Sequence, residues 1–215
     1  MSRPRCPWAP ELKSGEACGL RPVLIPWSRA PRSLSRTLLS DRDGVLGAVH
    51  LNRPDGPQVT AYEGVTAALE RLVPHSVAVV VISNQGAVGR GEHSLESVMD
   101  SNERLMTLLD PARELIDYVA MCPHSAEQQC RCRKPLTGAI DTIARYAGSP
   151  VGARWMVGDR VSDMELARRL GVPGILVRTG HGRESSRRIR ESELAVDVTH
   201  VADFATAVAM VVDSL

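Results

Sequence analysis

From residue 37 onward the chain alternates short apolar runs with longer stretches in which apolar side chains recur every three or four positions. Residues 77–82, VAVVVI, are β-branched without a polar break, as a parallel strand covered on both faces requires. Runs at 37–41, 118–121, 154–157 and 174–177 read as further strands, with a weak edge strand at 195–198. Helical periodicity marks 63–72, where Val65, Ala68, Leu69 and Leu72 share one face, and continues at 94–109, 136–146, 163–170 and 201–212. Strands alternating with helices of this length predict an α/β domain on a doubly wound parallel sheet. Residues 1–36 have no such period and carry breakers at Pro4, Pro7, Pro10, Pro22, Pro26 and Pro31. The pattern therefore predicts an irregular N-terminal extension over 1–36 and one domain over 37–215.

Composition adds limits. The 215 residues are 43% hydrophobic, enough for one substantial core and too few for two full-sized domains. A formal net charge of +1 gives no general attraction to nucleic acid or to an anionic membrane. No apolar stretch reaches about 18 residues, and no apolar leader follows the N-terminal arginines. The expectation is a soluble, cytoplasmic monomer with no membrane or nucleic-acid partner. The most basic stretch, 178–190, reads as a solvated loop and helix, because Glu184 and Glu191 flank its arginines and no aromatic offers base stacking. Among 24 arginines there are only two lysines, Lys13 and Lys134. A lysine kept in that background marks a place where a compact ammonium serves and a planar guanidinium does not.

In an open parallel sheet ligands bind beyond the carboxyl ends of the strands. Those ends read Asp41-Arg-Asp43-Gly, Ser83-Asn84-Gln85, Cys122-Pro-His124 and Gly158-Asp159-Arg160-Val-Ser-Asp163. Asp41 and Asp43, two apart on extended chain, point the same way and repel unless a cation or a shared proton intervenes. With Asp159 they offer the oxygen ligands that Mg²⁺ takes, water and a substrate phosphate completing the octahedron. A carboxylate can also attack phosphorus and divide one hard hydrolysis into two easier steps. Asp163 stands equally well as a support of this site and as a helix-capping carboxylate.

Cys122, His124, Cys130 and Cys132 fall within eleven residues. Three thiolates and an imidazole form a closed tetrahedral zinc set with no open position, so this zinc is expected to be structural and to order its own loop. His50, His75, His93, His181 and His200 show no second metal spacing; of these only His50 is expected near the site, as a substrate contact.

The segments SDRDGVLG (40–47), VISNQ (81–85), CRKP (132–135) and VGDRVSDMELA (157–167) together resemble the four motifs of the haloacid dehalogenase (HAD) superfamily of phosphatases. The resemblance runs from about residue 37 to the end and implies a HAD-like, Rossmannoid fold. It makes Asp41 the nucleophile and a Mg²⁺ ligand, and Asp43 the general acid and base, its carbonyl a second ligand. Asp159 would be the third ligand, Ser83 with the amides of Asn84, Gln85 and Gly86 would hold the phosphoryl group, and Lys134 would neutralise charge. Ser40 stands where the family usually has an apolar residue. The zinc loop running into Arg133-Lys134-Pro135 is similar to the D-glycero-D-manno-heptose 1,7-bisphosphate phosphatases and related histidinol-phosphate phosphatases, which lack a large cap domain. This implies a small phosphate ester as partner, with Arg133, Arg90, Arg160 and His50 as further substrate contacts. Arg90 favours a heptose bisphosphate; residues 49–52 lack the pattern of the heptose enzymes' substrate loop. A nucleic-acid 3′-phosphatase and an inactive zinc-stabilised interaction module are the alternatives from other classes.

Overall fold

The computed structural model describes residues 21–51 and 58–215. Seven strands form one sheet in the order β1-β6-β5-β2-β7-β8-β9. They are β1 (Val23–Pro26), β2 (Thr37–Ser40), β5 (Ala78–Asn84), β6 (Tyr118–Cys122), β7 (Ala153–Gly158), β8 (Gly174–Val177) and β9 (Val198–Val201). All neighbours are parallel except β1, which runs antiparallel along β6 from Val23↔Met121 to Pro26↔Tyr118. The helices are α1 (Val65–Leu72), α2 (Gly86–Gly89), α3 (Leu95–Leu109), α4 (Gly138–Ala147), α5 (Val161–Leu170), α6 (Gly182–Arg190) and α7 (Phe204–Asp213). A separate hairpin, β3 (Gly47–His50) with β4 (Gln58–Ala61), follows β2 and is the only extra sheet among the described residues.

Residues of β5 alternate between two cores, which explains its unbroken apolar run. Val79 and Val81 pack with residues of α1, α3 and α7, among them Leu69, Leu105, Phe204 and Val208. Ala78, Val80 and Ile82 pack on the other face with Ile140, Ile143 and Leu166 of α4 and α5. The chain leaves β2 for β5 and β6 on one side, then returns to β7, β8 and β9 on the other. The switch point is therefore at β2, and the crevice beyond its carboxyl end is where this architecture places ligands.

Three expectations need correction. Residues 21–36 are not an irregular extension: β1 lies there, and Trp27 and Leu34 are buried. The buried carboxylate of Asp117 ties this segment down, accepting from the Arg32 backbone at 2.6 Å and from its guanidinium at 2.8 Å. Proline is tolerated in β1 because an edge strand leaves one row of amides unpaired. Residues 1–20, with Lys13, Cys6 and Cys18, lie outside the described residues. The last strand begins at Val198 rather than 195, because pairing with all of β8 runs from Gly174↔Val198 to Val177↔Val201. Leu194 instead packs with Met164, Leu176 and Ile189. The sheet is also not wholly parallel, since β1 adds an antiparallel edge. The described segment between β2 and β5 holds the small hairpin, α1 and one 3-10 turn, and that between β5 and β6 holds α2 and α3, with no larger insert among the described residues.

Candidate active site

Asp41 directly follows β2, and its backbone N–H donates to Val157 of β7 at 2.9 Å, so the sheet itself aims the residue. Ser40 before it is buried, and its hydroxyl is satisfied by the Asp41 carbonyl at 2.8 Å. Lys134 arrives from the loop after β6 and is only 3% exposed. Its ammonium sits 2.7 Å from Asp41 Oδ1 and 2.8 Å from Asp163 Oδ1, and donates to the Ile82 carbonyl at 2.6 Å. Three short acceptors converging from different directions suit an ammonium and leave no room for a planar fork.

Asp159 follows β7 and is fully buried. Its Oδ2 accepts the His181 N–H at 2.7 Å, while Oδ1 has no hydrogen-bond partner. Carboxylate oxygens of Asp41, Asp159 and Asp163 lie within 4.8 Å of one another. Three buried acids thus cluster where one ammonium pairs with only two of them, and an oxygen of the third, Asp159, is left bare; a divalent cation fits that arrangement. Burial, then Asp163, Asp159 and Asp43, push the Asp41 carboxyl up to about 7 against the pull of Lys134. Burial also raises Asp159, with Asp163 adding to it. Burial works against the Lys134 ammonium, but Asp163 and Asp41 outweigh it and its pKa is raised. Gly44 (φ +83°) and Gly180 (φ +55°) pack directly on Asp159; a Cβ at either would overlap its carboxylate.

Asp43 reaches towards solvent. Arg42 Nη2 donates to its Oδ2 at 2.9 Å, and Gln85 Nε2 donates to the same oxygen at 2.8 Å. Gln85 Nε2 also donates to Ser83 Oγ at 2.6 Å, so Ser83, Gln85 and Asp43 form one cluster. The two carboxylates of the first motif therefore have different settings: Asp41 is buried against Lys134, and Asp43 is held at the rim by side-chain donors.

The substrate contacts expected from the sequence divide. The Asn84 side chain clasps the Lys134 backbone, donating to its carbonyl at 3.1 Å and accepting its N–H at 2.9 Å, so it positions the lysine. The Gln85 N–H is already given to the Cys122 carbonyl at 2.7 Å, which leaves the amides of Asn84 and Gly86 from the expected trio. The guanidinium groups of Arg90 and Arg133 both lie 3.1 Å from where a Cβ on Gly86, at the start of α2, would sit. Arg133 also donates to the His124 carbonyl at 3.1 Å, and Arg90 pairs with Glu92 at 2.6 Å. Arg160 is the exposed N-cap of α5, and its N–H is capped by Asp163 Oδ2 at 2.9 Å. Asp163 thus has one oxygen on Lys134 and the other on the N-terminus of the helix. His50 lies exposed at the outer end of β3, beside residues outside the described set, and makes no contact with the site among the described residues.

Several site residues escaped the sequence reading. Arg42 and its partner Asn102 are buried under Asp43. Thr179 donates to the Gly44 carbonyl at 2.5 Å, bringing the end of β8 into the site. The Tyr62 phenol has its pKa raised by burial and by the nearby Asp159 and Asp43. Extending the strand-end search to β8 would have found residues 179–181; nothing local marks the others.

In the cysteine cluster the sulfurs are 3.4–3.6 Å apart, and His124 Nδ1 lies 3.2 Å from Cys132 Sγ and 3.5 Å from Cys122 Sγ. Around a tetrahedral zinc, bonds of about 2.3 Å to sulfur and about 2.0 Å to nitrogen separate sulfurs by about 3.8 Å and sulfur from nitrogen by about 3.5 Å. The set fits such an ion, and all three cysteines are free thiols. Cys132 hydrogen bonding drives the Cys122 thiol down to about 5, the polarisation a thiolate ligand needs.

A HAD-hydrolase-like family model matches residues 131–214. A D-glycero-beta-D-manno-heptose-1,7-bisphosphate 7-phosphatase of Pseudomonas aeruginosa is 31% identical over 170 residues, covering 76% of this chain and 94% of that protein. The chain is a HAD-family phosphatase. It falls in the heptose-bisphosphate and histidinol-phosphate phosphatase subgroup. The bifunctional histidine biosynthesis protein HisB of Legionella pneumophila is 28% identical to this phosphatase over 184 residues, covering 77% of this chain and 51% of HisB. Among solved structures, a D,D-heptose 1,7-bisphosphate phosphatase of B. bronchiseptica complexed with magnesium and phosphate superposes with a TM-score of 0.71. It is 27% identical, and the match covers 84% of this chain and 99% of that one.

Proposed function

We propose that this phosphatase hydrolyses a heptose bisphosphate or a kindred sugar phosphate, passing the phosphoryl group through Asp41. One observation carries the reading: buried Asp41 and Asp159 at adjacent strand ends and Asp163 in the first turn of α5 cluster within 4.8 Å, the ammonium of Lys134 pairs with only two of them, and Asp159 Oδ1 has no partner at all. Asp41, Asp159 and the Asp43 carbonyl would hold Mg²⁺, which supplies charge neutralisation at the phosphoryl oxygens. Cys122, His124, Cys130 and Cys132 would hold Zn²⁺ to order the loop that carries Arg133 and Lys134.

An Asp41 oxygen attacks phosphorus, and the bond to the sugar oxygen breaks with its electron pair on that oxygen. Asp43 gives the leaving oxygen its proton. Water then attacks the aspartyl phosphate, Asp43 takes a proton from it, and the Asp41 carboxylate leaves. Ser83 and the Gly86 amide orient the phosphoryl group, and Lys134 offsets charge between it and Asp41. Arg90 and Arg133, converging on the Gly86 turn, suit the anionic far end of a bisphosphate. The matches to heptose bisphosphatases along nearly their full length support this substrate class. The likeness to HisB makes histidinol phosphate the second reading.

Phosphate release from heptose 1,7-bisphosphates, histidinol phosphate and 3′-phosphorylated oligonucleotides, with and without Mg²⁺, tests the substrate. A heptose bisphosphate is expected to give the highest kcat/KM and to require Mg²⁺. Asp41→Asn is expected to abolish both turnover and the acid-stable phosphoenzyme seen on rapid quench. Near-normal turnover in that variant would refute the covalent route, and release from histidinol phosphate alone would move the substrate to the second reading.

A further inference from the structure

Arg42 is the largest fully buried side chain among the described residues, and it lies between the two aspartates of the site. A guanidinium keeps its charge, so burying one requires anchors on several sides. Its Nε and Nη2 form a fork on Asp43, at 3.2 Å to Oδ1 and 2.9 Å to Oδ2. Its Nη1 turns inward, donating to Asn102 Oδ1 of α3 at 3.3 Å, with Met121 Sδ of β6 at 3.8 Å.

Asn102 is fully buried, and its Nδ2 has no partner. An orphaned buried donor is destabilising, a cost that an apolar residue would avoid. What Asn102 supplies in return is a fixed acceptor for the guanidinium. Asp43, by contrast, has a side chain 38% exposed. Gln85 touches only one of its oxygens, whereas the Arg42 fork touches both and therefore sets the plane of the carboxyl group.

We infer that Arg42, held from behind by Asn102, is the positioning residue that aims Asp43 at the leaving oxygen. This rests on the reading of Asp43 as the proton donor. The phosphoryl transfer is the one written above, and Arg42 takes no proton in it. A mis-aimed donor slows departure of a poor leaving group and matters little to a good one. Displacements of about 1 Å cost on the order of 10²-fold where geometry is limiting.

The test is the ratio of kcat/KM for a primary alkyl phosphate to that for 4-nitrophenyl phosphate, since kcat/KM covers the steps through leaving-group departure. The alkyl ester is whichever of heptose 1,7-bisphosphate and histidinol phosphate the wild type hydrolyses faster. Arg42→Lys keeps the charge and loses the fork; Asn102→Ala removes the anchor together with its orphaned Nδ2, and so serves if the first variant folds poorly. Each is expected to lower the ratio at least tenfold, and neither is expected to lower it further in an Asp43→Asn background. If Asp43→Asn itself leaves the ratio unchanged, the proton-donor reading fails. If Asp43→Asn lowers the ratio while Arg42→Lys and Asn102→Ala do not, or if they lower it further in the Asp43→Asn background, the inference about Arg42 is wrong.

Discussion

Replacing Lys134 by Met keeps most of the volume and removes the charge. Asp41 Oδ1 and Asp163 Oδ1, now 2.7 and 2.8 Å from the ammonium, then lose their shared counter-ion, and the Ile82 carbonyl loses its donor. At an effective dielectric of about 20, each attraction at that distance is about 6 kcal/mol before desolvation is subtracted. Removing one partner of a buried ionic group typically costs about 3–5 kcal/mol. At about 2–4 °C per kcal/mol for a domain of this size, the Mg²⁺-free variant is expected to melt roughly 6–20 °C below wild type at pH 7.5. The sign with pH follows from Asp41, whose carboxyl stands at about 7 in the fold against 3.8 for the free side chain. A carboxyl with a raised folded pKa loses stability as pH climbs from the unfolded value through the folded one. Loss of Lys134 raises it further, so the deficit is greatest above pH 7 and shrinks towards pH 5, where Asp41 is protonated in both proteins. Circular dichroism melts at pH 7.5 and 5.0 measure it. A variant melting within 2 °C of wild type at pH 7.5, or one whose deficit grows on acidification, would refute the reasoning.

Asp159→Asn is expected to act in the opposite direction, raising the melting temperature of Mg²⁺-free protein by a few degrees because burial and Asp163 oppose its charge. The same variant should lose the melting shift that Mg²⁺ gives wild type; a preserved shift would remove Asp159 from the ligand set. Cys130→Ser is expected to lower bound zinc by elemental analysis and to cut kcat about 10²-fold without rescue by Mg²⁺, since Arg133 and Lys134 directly follow the last cysteine. Full turnover in zinc-free protein would show that the loop does not organise the site. Asp117→Asn is expected to weaken the ion pair with Arg32 and destabilise by about 1–3 kcal/mol, with early hydrogen exchange confined to 23–36. Uniform loss of protection across the sheet would mean that β1 is not a separable edge.

The sequence by itself determined the elements whose causes are local. The β-branched run at 77–82 and the helical spacing at 63–72 report their own burial, because period and composition act within one segment. The close spacing of Cys122, His124, Cys130 and Cys132 holds the four together whatever the rest of the chain does. The strand-end rule put Asp41, Ser83 and Asp159 near one crevice, because parallel strands bring their carboxyl ends to one edge; Lys134 was assigned to it only by the family resemblance. Tertiary structure decided what depends on a distant partner. Val23–Pro26 becomes a strand only because β6 offers a free edge and Asp117 holds Arg32. The boundary at residue 37 was misplaced for that reason: proline content records what a segment cannot do alone, not which edge it can join. Asp163 acquires its second role from a lysine that arrives from the loop after β6. Arg42 looked like one arginine among 24, and only the approach of α3 sixty residues later turns it into a buried fork. Charge and hydrogen-bond partners act through space over a few ångströms, and the fold alone determines which residues, however far apart in the chain, come within that range.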